Sequence, residues 1–323
     1  MGFYPPICLA VLNWNGRNHL EILIPSLLKA VERYRGTCRI VILDNPSPAD
    51  DPLWIRETFP QVEVVESPEN DYLYSYNWLL SRLEEPIVVL LNNDLKVDPD
   101  FLSPLVEPFS DPDVFSVSAQ SLEWDGSAVT SAAYRLGMHH GWAYWDGFAA
   151  DHPVYTLFAV GGFAAVDRKR FVELGGFDRL FHPAYGEDVD LCVRAWKRGW
   201  SSVYQPHSRV WHREGASWDG EPDAKRGSLI AKAQYLNNAK HFQCRRILLM
   251  RMLYLWVLCA QKRRKGDFSW QKAIAEARLR WKKTMGASLS VKKNLPRIDK
   301  ALSQIGKAWV APSAEDSTES ILS

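Results

Sequence analysis

Three runs rich in apolar residues, Ile7 to Leu12, Arg39 to Leu43 and Ile87 to Leu91, stop abruptly on polar clusters: Asn13-Trp14-Asn15-Gly16, Asp44-Asn45-Pro46 and Asn92-Asn93-Asp94. Apolar runs that do not alternate with polar residues belong to strands covered on both faces, the signature of a parallel sheet. Between the first two runs, Leu20 to Tyr34 shows helical spacing, which makes a βαβ opening. A third strand is predicted at Val62 to Glu66, followed by a helix over Tyr74 to Leu83. The alternation predicts an α/β fold with a mainly parallel central sheet flanked by helices. A core does not welcome unpaired amides and carboxylates. Ligands of such sheets bind beyond the carboxyl ends of the strands, where all three polar clusters fall.

The kind of ligand is narrowed by what is missing. No GxGxxG follows the first strand and no GxxxxGK[ST] occurs, which argues against a dinucleotide fold and a P-loop. Five scattered cysteines without a CxxC pair suggest neither a disulfide framework nor a zinc site, and fit a reducing compartment. No basic segment precedes the short run at Ile7, so a cytoplasmic chain is expected.

Net charge is +1, but it is divided unevenly. Residues 1–223 hold 18 Lys and Arg against 32 Asp and Glu, a balance of −14; residues 224–323 hold 21 against 6, a balance of +15. An acidic body with a basic tail implies an anionic partner for the tail. Within it, Arg245 to Lys265 brackets an apolar run with basic clusters. The run is too short to span a bilayer, but suits either a helix lying at an anionic membrane surface or one packed on the body. The last dozen residues have the composition of a disordered end.

An acidic body can still hold a diphosphate if a strand-end carboxylate holds a divalent cation, and Asp94 is the natural candidate. Taken in order, Asn13-x-Asn15-Gly16, Asp44-Asn45 and "LLNND" resemble the donor half of the family-2 glycosyltransferases with the GT-A fold, rhamnosyltransferase-like branch. "VGGFAAVDRKRFVELGGFDRLFHPAYGEDVDLCVRAWKRGW", Val160 to Trp200, is similar to the acceptor-side segment of that family, and "HREGAS", His212 to Ser217, matches its H-x-x-G-x-S. The chain departs from the family at Asn92, an amide at the first acidic position of D-x-D. It departs again at "YLYSYNW", which keeps Asn77 but lacks the glycines of FxGGxN.

The resemblance implies a GT-A catalytic domain over 1–223, with a nucleotide-sugar half to about residue 100 and an acceptor half beyond, followed by a basic helical tail. It implies an inverting, metal-dependent transfer of a sugar, with rhamnose favoured, from a dTDP-, UDP- or GDP-linked donor to a saccharide or polyprenyl-diphosphate-linked acceptor. No nucleic-acid partner is expected. Asp188 is then the base, with Glu187 beside it; Asp94 and His212 hold Mn2+ or Mg2+; Asn13, Asn15, Asp44, Asn77, Asn92 and Asn93 face the nucleotide sugar; Asp190, Trp142 and Trp145 face the acceptor. Each has a structural alternative: turn formation for Asp44, helix capping for Asn13 and Asn15, complementing a helix dipole for the acids near 188, core packing for the tryptophans. Rival functions are a nucleotidyltransferase that makes the activated sugar and a non-catalytic sugar-binding protein of the same fold.

Overall fold

The computed structural model describes residues 3–213, 223–242, 248–264, 268–285 and 303–311. In chain order the first part runs β1 (Ile7–Asn13), α1 (Arg17–Arg33), β2 (Cys38–Asp44), α2 (Asp51–Thr58), β3 (Glu63–Glu66), a 3-10 turn at Tyr72–Tyr74, α3 (Ser75–Leu80) and β4 (Ile87–Asn92). There follow β5 (Leu95–Val97), α4 (Leu102–Val106), β6 (Val114–Leu122), β7 (Val129–Ser131), β8 (Ala133–His139), β9 (Trp142–Phe148), β10 (Val154–Thr156), β11 (Phe163–Asp167) and α5 (Arg168–Glu173). The remainder is α6 (Glu187–Trp196), β12 (Ser201–His212), α7 (Asp223–His241), α8 (Leu248–Arg264) and α9 (Ser269–Met285).

The main sheet has the order β10-β12-β6-β11-β4-β1-β2-β3, with β5 added to β12 and β7 to β6. The parallel reading holds for β3, β2, β1 and β4, and for β6 with β12. Between these two blocks β11 runs antiparallel to both β4 and β6, so the sheet as a whole is mixed. Both faces are covered. Ile7, Leu9 and Val11 join one core cluster, whereas Cys8 and Ala10 join another on the opposite face, and Val88 and Leu90 part in the same way from Ile87, Val89 and Leu91. Two-residue alternation of side chains therefore feeds apolar residues to both layers, and explains why the runs do not alternate in polarity. α1 covers the first layer with Leu20, Leu23, Ile24, Leu27 and Ala30, all fully buried at helical spacing. Each leucine there contributes about 1.5–3 kcal/mol, so Leu27→Ala alone would loosen the layer.

The helices α7, α8 and α9 beyond residue 223 pack on this body. Leu236 of α7 and Ala277 of α9 pack with Leu180 and Phe181, while Leu255 of α8 and Ile274 of α9 bury Trp142 of β9. Among the described residues no helix is long and apolar enough to cross a membrane.

Candidate active site

β4 ends at Asn92, and the chain turns into β5, which pairs antiparallel with the last residues of β12, Leu95 opposite His212 and Val97 opposite Val210. This ladder brings Asp94 beside His212. Asp94 Oδ1 lies 3.3 Å from His212 Nε2, and the backbone N–H of Arg213 donates to the Asp94 carbonyl at 3.0 Å. The carboxylate is 4% exposed. Glu214 to Ser217, the rest of the H-x-x-G-x-S motif, lie outside the described residues.

The second group of acids is aimed by a tight turn. Tyr185 and Gly186 have φ of +71° and +87°, the left-handed region that a side chain disfavours. At Gly186 a Cβ would also come within 2.8 Å of both Ala233 Cβ and Asn237 Nδ2. From this turn α6 starts with Glu187 and Asp188 toward the cavity. Burial raises the Asp188 pKa, opposed by the N–H groups of Val189 and Gly161. Burial raises Glu187 further, and the neighbouring Asp188 adds to the effect. Glu187 is 9% exposed, and its Oε2 has no hydrogen-bond partner among the described residues. Two adjacent acids with raised pKa values favour sharing one charge over carrying two.

These groups open into one cavity of about 430 Å³, lined by Asn92, Asp94, His212, Glu187 and Asp188, with Tyr134, Trp145 and Phe158 among the aromatic residues of its wall. The Gly161-Gly162 turn ahead of β11 lines the same cavity, close to both groups. A Cβ on Gly162 would meet Asn92 Nδ2 at 2.6 Å, and one on Gly161 would meet Asp188 Cβ at 3.7 Å. α7 supplies further wall with Arg226, Ile230 and Ala233, so the division at residue 223 passes through the cavity lining.

The other residues singled out in the sequence divide. Asn92 and Trp145 face the cavity, and Asn15, exposed with φ +50°, lines a separate hollow with Gly16, Asp50 and Asp51. Asn13 is a correction: it is fully buried, and its amide donates to Asp44 Oδ1 at 2.6 Å and Asp51 Oδ2 at 3.0 Å while accepting from Asn93 Nδ2 at 2.9 Å. It holds strand ends together and has no face left for a nucleotide. Asp44, 3% exposed, holds Asn13 in return, and burial lifts its pKa to about 6. Asn93 gives its amide to the same cluster.

Asn77 is corrected too. Both ends of its amide bind the backbone of Phe177, at 2.9 and 2.8 Å, and fasten α3 to the Gly175-Gly176 turn. Trp142, 4% exposed, is sealed under α8 and α9 and cannot meet an acceptor. Asp190 is corrected most firmly. It is fully buried and binds His241 Nε2 at 2.6 Å, Arg194 Nε at 2.8 Å and Lys240 Nζ at 2.5 Å; His241 and the two cations hold its pKa below the carboxylate range. Burial pushes His241 down to about 4, so its Nε2–H donates to Asp190 and its Nδ1 accepts from Lys197 Nζ at 2.8 Å. This network docks α7 on α6.

Sequence reading missed Asp51, whose Oδ2 accepts from Gly16 N at 2.9 Å, because an acid opening a short helix looks like a cap. It also missed Tyr76, whose buried hydroxyl accepts from Leu12 N at 3.1 Å and donates to Leu91 O at 2.9 Å, bracing the ends of β1 and β4 beside the cavity. Nor did it find Arg226, which reads as one more basic residue of the tail.

A divalent cation suits Asp94 and His212. Both residues line the cavity, and a carboxylate beside an imidazole is a donor set that suits Mn2+ at least as well as the oxygen-seeking Mg2+. Among the described residues no group of three His, Cys, Asp or Glu could hold a metal.

The family model described as "Glycosyltransferase like family 2" matches residues 5–223. The N-acetylglucosaminyl-diphospho-decaprenol L-rhamnosyltransferase of Mycobacterium tuberculosis is 28% identical over 236 residues, 63% of this chain and 75% of that protein. Polypeptide N-acetylgalactosaminyltransferase 11 of Xenopus tropicalis is 26% identical over 195 residues, 54% of this chain but 32% of the relative. Among solved structures, the mannosyltransferase PcManGT of Pyrobaculum calidifontis, in complex with GDP-Man and Mn2+, shares the fold with a TM-score of 0.56 at 18% identity, covering 93% of this chain and 79% of that one. GalNAc-T7 with UDP, GalNAc and Mn2+ gives a TM-score of 0.56 at 19% identity, over 68% and 45%. Strand ends, cavity and motif order agree with these likenesses: the chain has the GT-A fold and is a glycosyltransferase of the family-2-like group.

Proposed function

We propose that the protein transfers a sugar, with rhamnose as first choice, from a nucleotide-diphosphate donor to a saccharide carried on polyprenyl diphosphate, with inversion at the anomeric carbon. The observation that carries this reading is the single cavity shared by the Asp94–His212 pair and the Glu187–Asp188 pair. The M. tuberculosis rhamnosyltransferase, whose acceptor is a sugar on diphospho-decaprenol, supports the choice of sugar and acceptor.

The chemistry needs two stations. At one, Asp94 and His212 would hold Mn2+ or Mg2+, whose charge would offset that of the donor diphosphate. At the other, Asp188 accepts a hydrogen bond from the acceptor hydroxyl and takes its proton as the new C–O bond forms and the anomeric C–O bond to the diphosphate breaks. Glu187, buried beside an ionised Asp188, stays protonated and can donate to a sugar hydroxyl. Tyr134, Trp145 and Phe158 offer apolar faces to sugar rings and limit water. Asn13, Asp44, Asp51 and Tyr76 keep the strand ends fixed so that the two stations stay aligned.

The test is a thermal-shift screen of UDP-, GDP- and dTDP-sugars with and without Mn2+, followed by hydrolysis of the binder. A ligand at a hundred times its Kd stabilises the fold by about 2.7 kcal/mol. Stabilisation that requires Mn2+ and is lost in Asp94→Ala is expected; binding unchanged in that variant would overturn the assignment of the metal station.

A further inference from the structure

α8 is apolar on two faces. Its inner face packs through Leu255, 5% exposed, with Cys259 in the same cluster, and Lys262 lies over the Trp270 ring. Its outer face carries Leu253 at 61% exposed, Trp256 at 69% and Val257 at 38%, and continues through Ala260 to Arg264 at helical spacing. A helix whose only task is to cover a core has polar residues on its outward side. Phe268, just beyond α8, is exposed as well.

The charges on α8 itself have one sign. α8 contains Arg251, Lys262, Arg263 and Arg264 and no Asp or Glu. On α9 the acid Glu276 is paired with Arg280 at 2.8 Å, while Lys282 and Lys283 stand in the last turn. The outer face is thus an apolar strip ending in exposed cations, with no acid on its own helix to neutralise them.

We infer that the outer face of α8 docks this protein on an anionic lipid surface, with Leu253, Trp256 and Val257 entering the headgroup boundary and Arg263 and Arg264 meeting lipid phosphates. A tryptophan suits that boundary, having an apolar body and a polar N–H. The helix would lie along the surface, since among the described residues no helix is long and apolar enough to cross a membrane. Inner and outer faces have separate roles: the inner face fastens α8 to Trp142 of β9, the strand whose Trp145 lines the cavity. Docking would therefore hold the cavity close to lipid-borne acceptors. The inference deepens the proposed function by naming the surface on which the acceptor is met, but its test does not need catalysis.

Flotation of the full chain with vesicles of phosphatidylcholine, with or without phosphatidylglycerol, tests it. The wild type is expected to float with vesicles containing phosphatidylglycerol, at least tenfold less with phosphatidylcholine alone, and to be released by high salt. The triple variant Leu253→Ser, Trp256→Ser, Val257→Ser is expected to lose at least tenfold of the bound fraction while keeping its melting temperature and its Mn2+-dependent nucleotide-sugar binding. Equal flotation of variant and wild type overturns the inference. So does a wild type that ignores vesicles but forms dimers which the variant lacks, because the face would then join two copies of the chain. Lipid binding without nucleotide-sugar binding would leave the surface intact and remove the proposed reaction.

Discussion

Asp188 and Glu187 differ in a way that only burial and adjacency can produce. Both acids have raised pKa values, Glu187 the more strongly, so as pH rises Asp188 ionises first and its charge opposes ionisation of its neighbour. A base works when ionised. Turnover is therefore expected to climb with pH through a midpoint above the usual carboxylate range, and Asp188→Asn to lower kcat by about 10²–10⁴ with a smaller change in donor KM. A flat pH–rate profile from weakly acid to neutral pH, or an active Asn variant, would remove Asp188 from the role of base. At this scale the sequence is a partial guide. Asp94, His212, Glu187 and Asp188 were legible because motif spacing marks them, and the structure gathers them at one cavity. Asn13 and Asn77 were legible as important but not as braces, since an amide that grips backbone and one that grips a ligand look alike in a sequence.

The pairing of α6 with α7 depends on Asp190, whose carboxylate meets Arg194, Lys240 and His241 in a sealed interior. Removing one partner of a buried charged network strands the others without compensation. Asp190→Asn is expected to cost about 3 kcal/mol or more, read from urea midpoints. The pH dependence has a definite sign. The folded-state pKa of Asp190 is depressed, so its contribution is present above the ordinary carboxylate value and is lost as pH falls below it toward the folded value. The variant should lack that acid-limb loss; an unchanged urea midpoint at neutral pH would show that the network does not hold the helices. Periodicity could not reveal this contact, because Lys240 and His241 lie about fifty residues from Asp190 and look like a basic helix end. Longer elements were readable: β1, β2 and β4 match their apolar runs, and α1 matches its spacing to within a few residues. α2 with 8 residues, and β5, β7 and β10 with 3 each, are too short to show a period.

For the whole molecule, the boundary at residue 223 is crossed by the cavity wall and by buried contacts. The acidic body needs α7: Lys240 also binds Asp178 at 2.6 Å, Asn237 donates to the Gly186 carbonyl at 3.0 Å, and Arg226 and Ile230 complete the cavity wall. A fragment ending at 223 is expected to leave Asp190 with Arg194 but without Lys240 and His241, and the Gly186 turn without Asn237, to melt at least 10 °C below a fragment ending at 285, and to lose nucleotide-sugar turnover. Equal melting temperatures would show that the body folds without its helical cover. The fold class was legible because parallel strands buried on two faces leave continuous apolar runs, whereas the reversed β11 at the centre is set by chain topology and leaves no local mark. That reversal has a lasting result. The Gly161-Gly162 turn entering β11 lies against both groups of the cavity, since a Cβ on Gly162 would meet Asn92 and one on Gly161 would meet Asp188. Changing that turn to admit a bulkier sugar beside one group would shift the other as well, so new donor and acceptor preferences would have to be selected together.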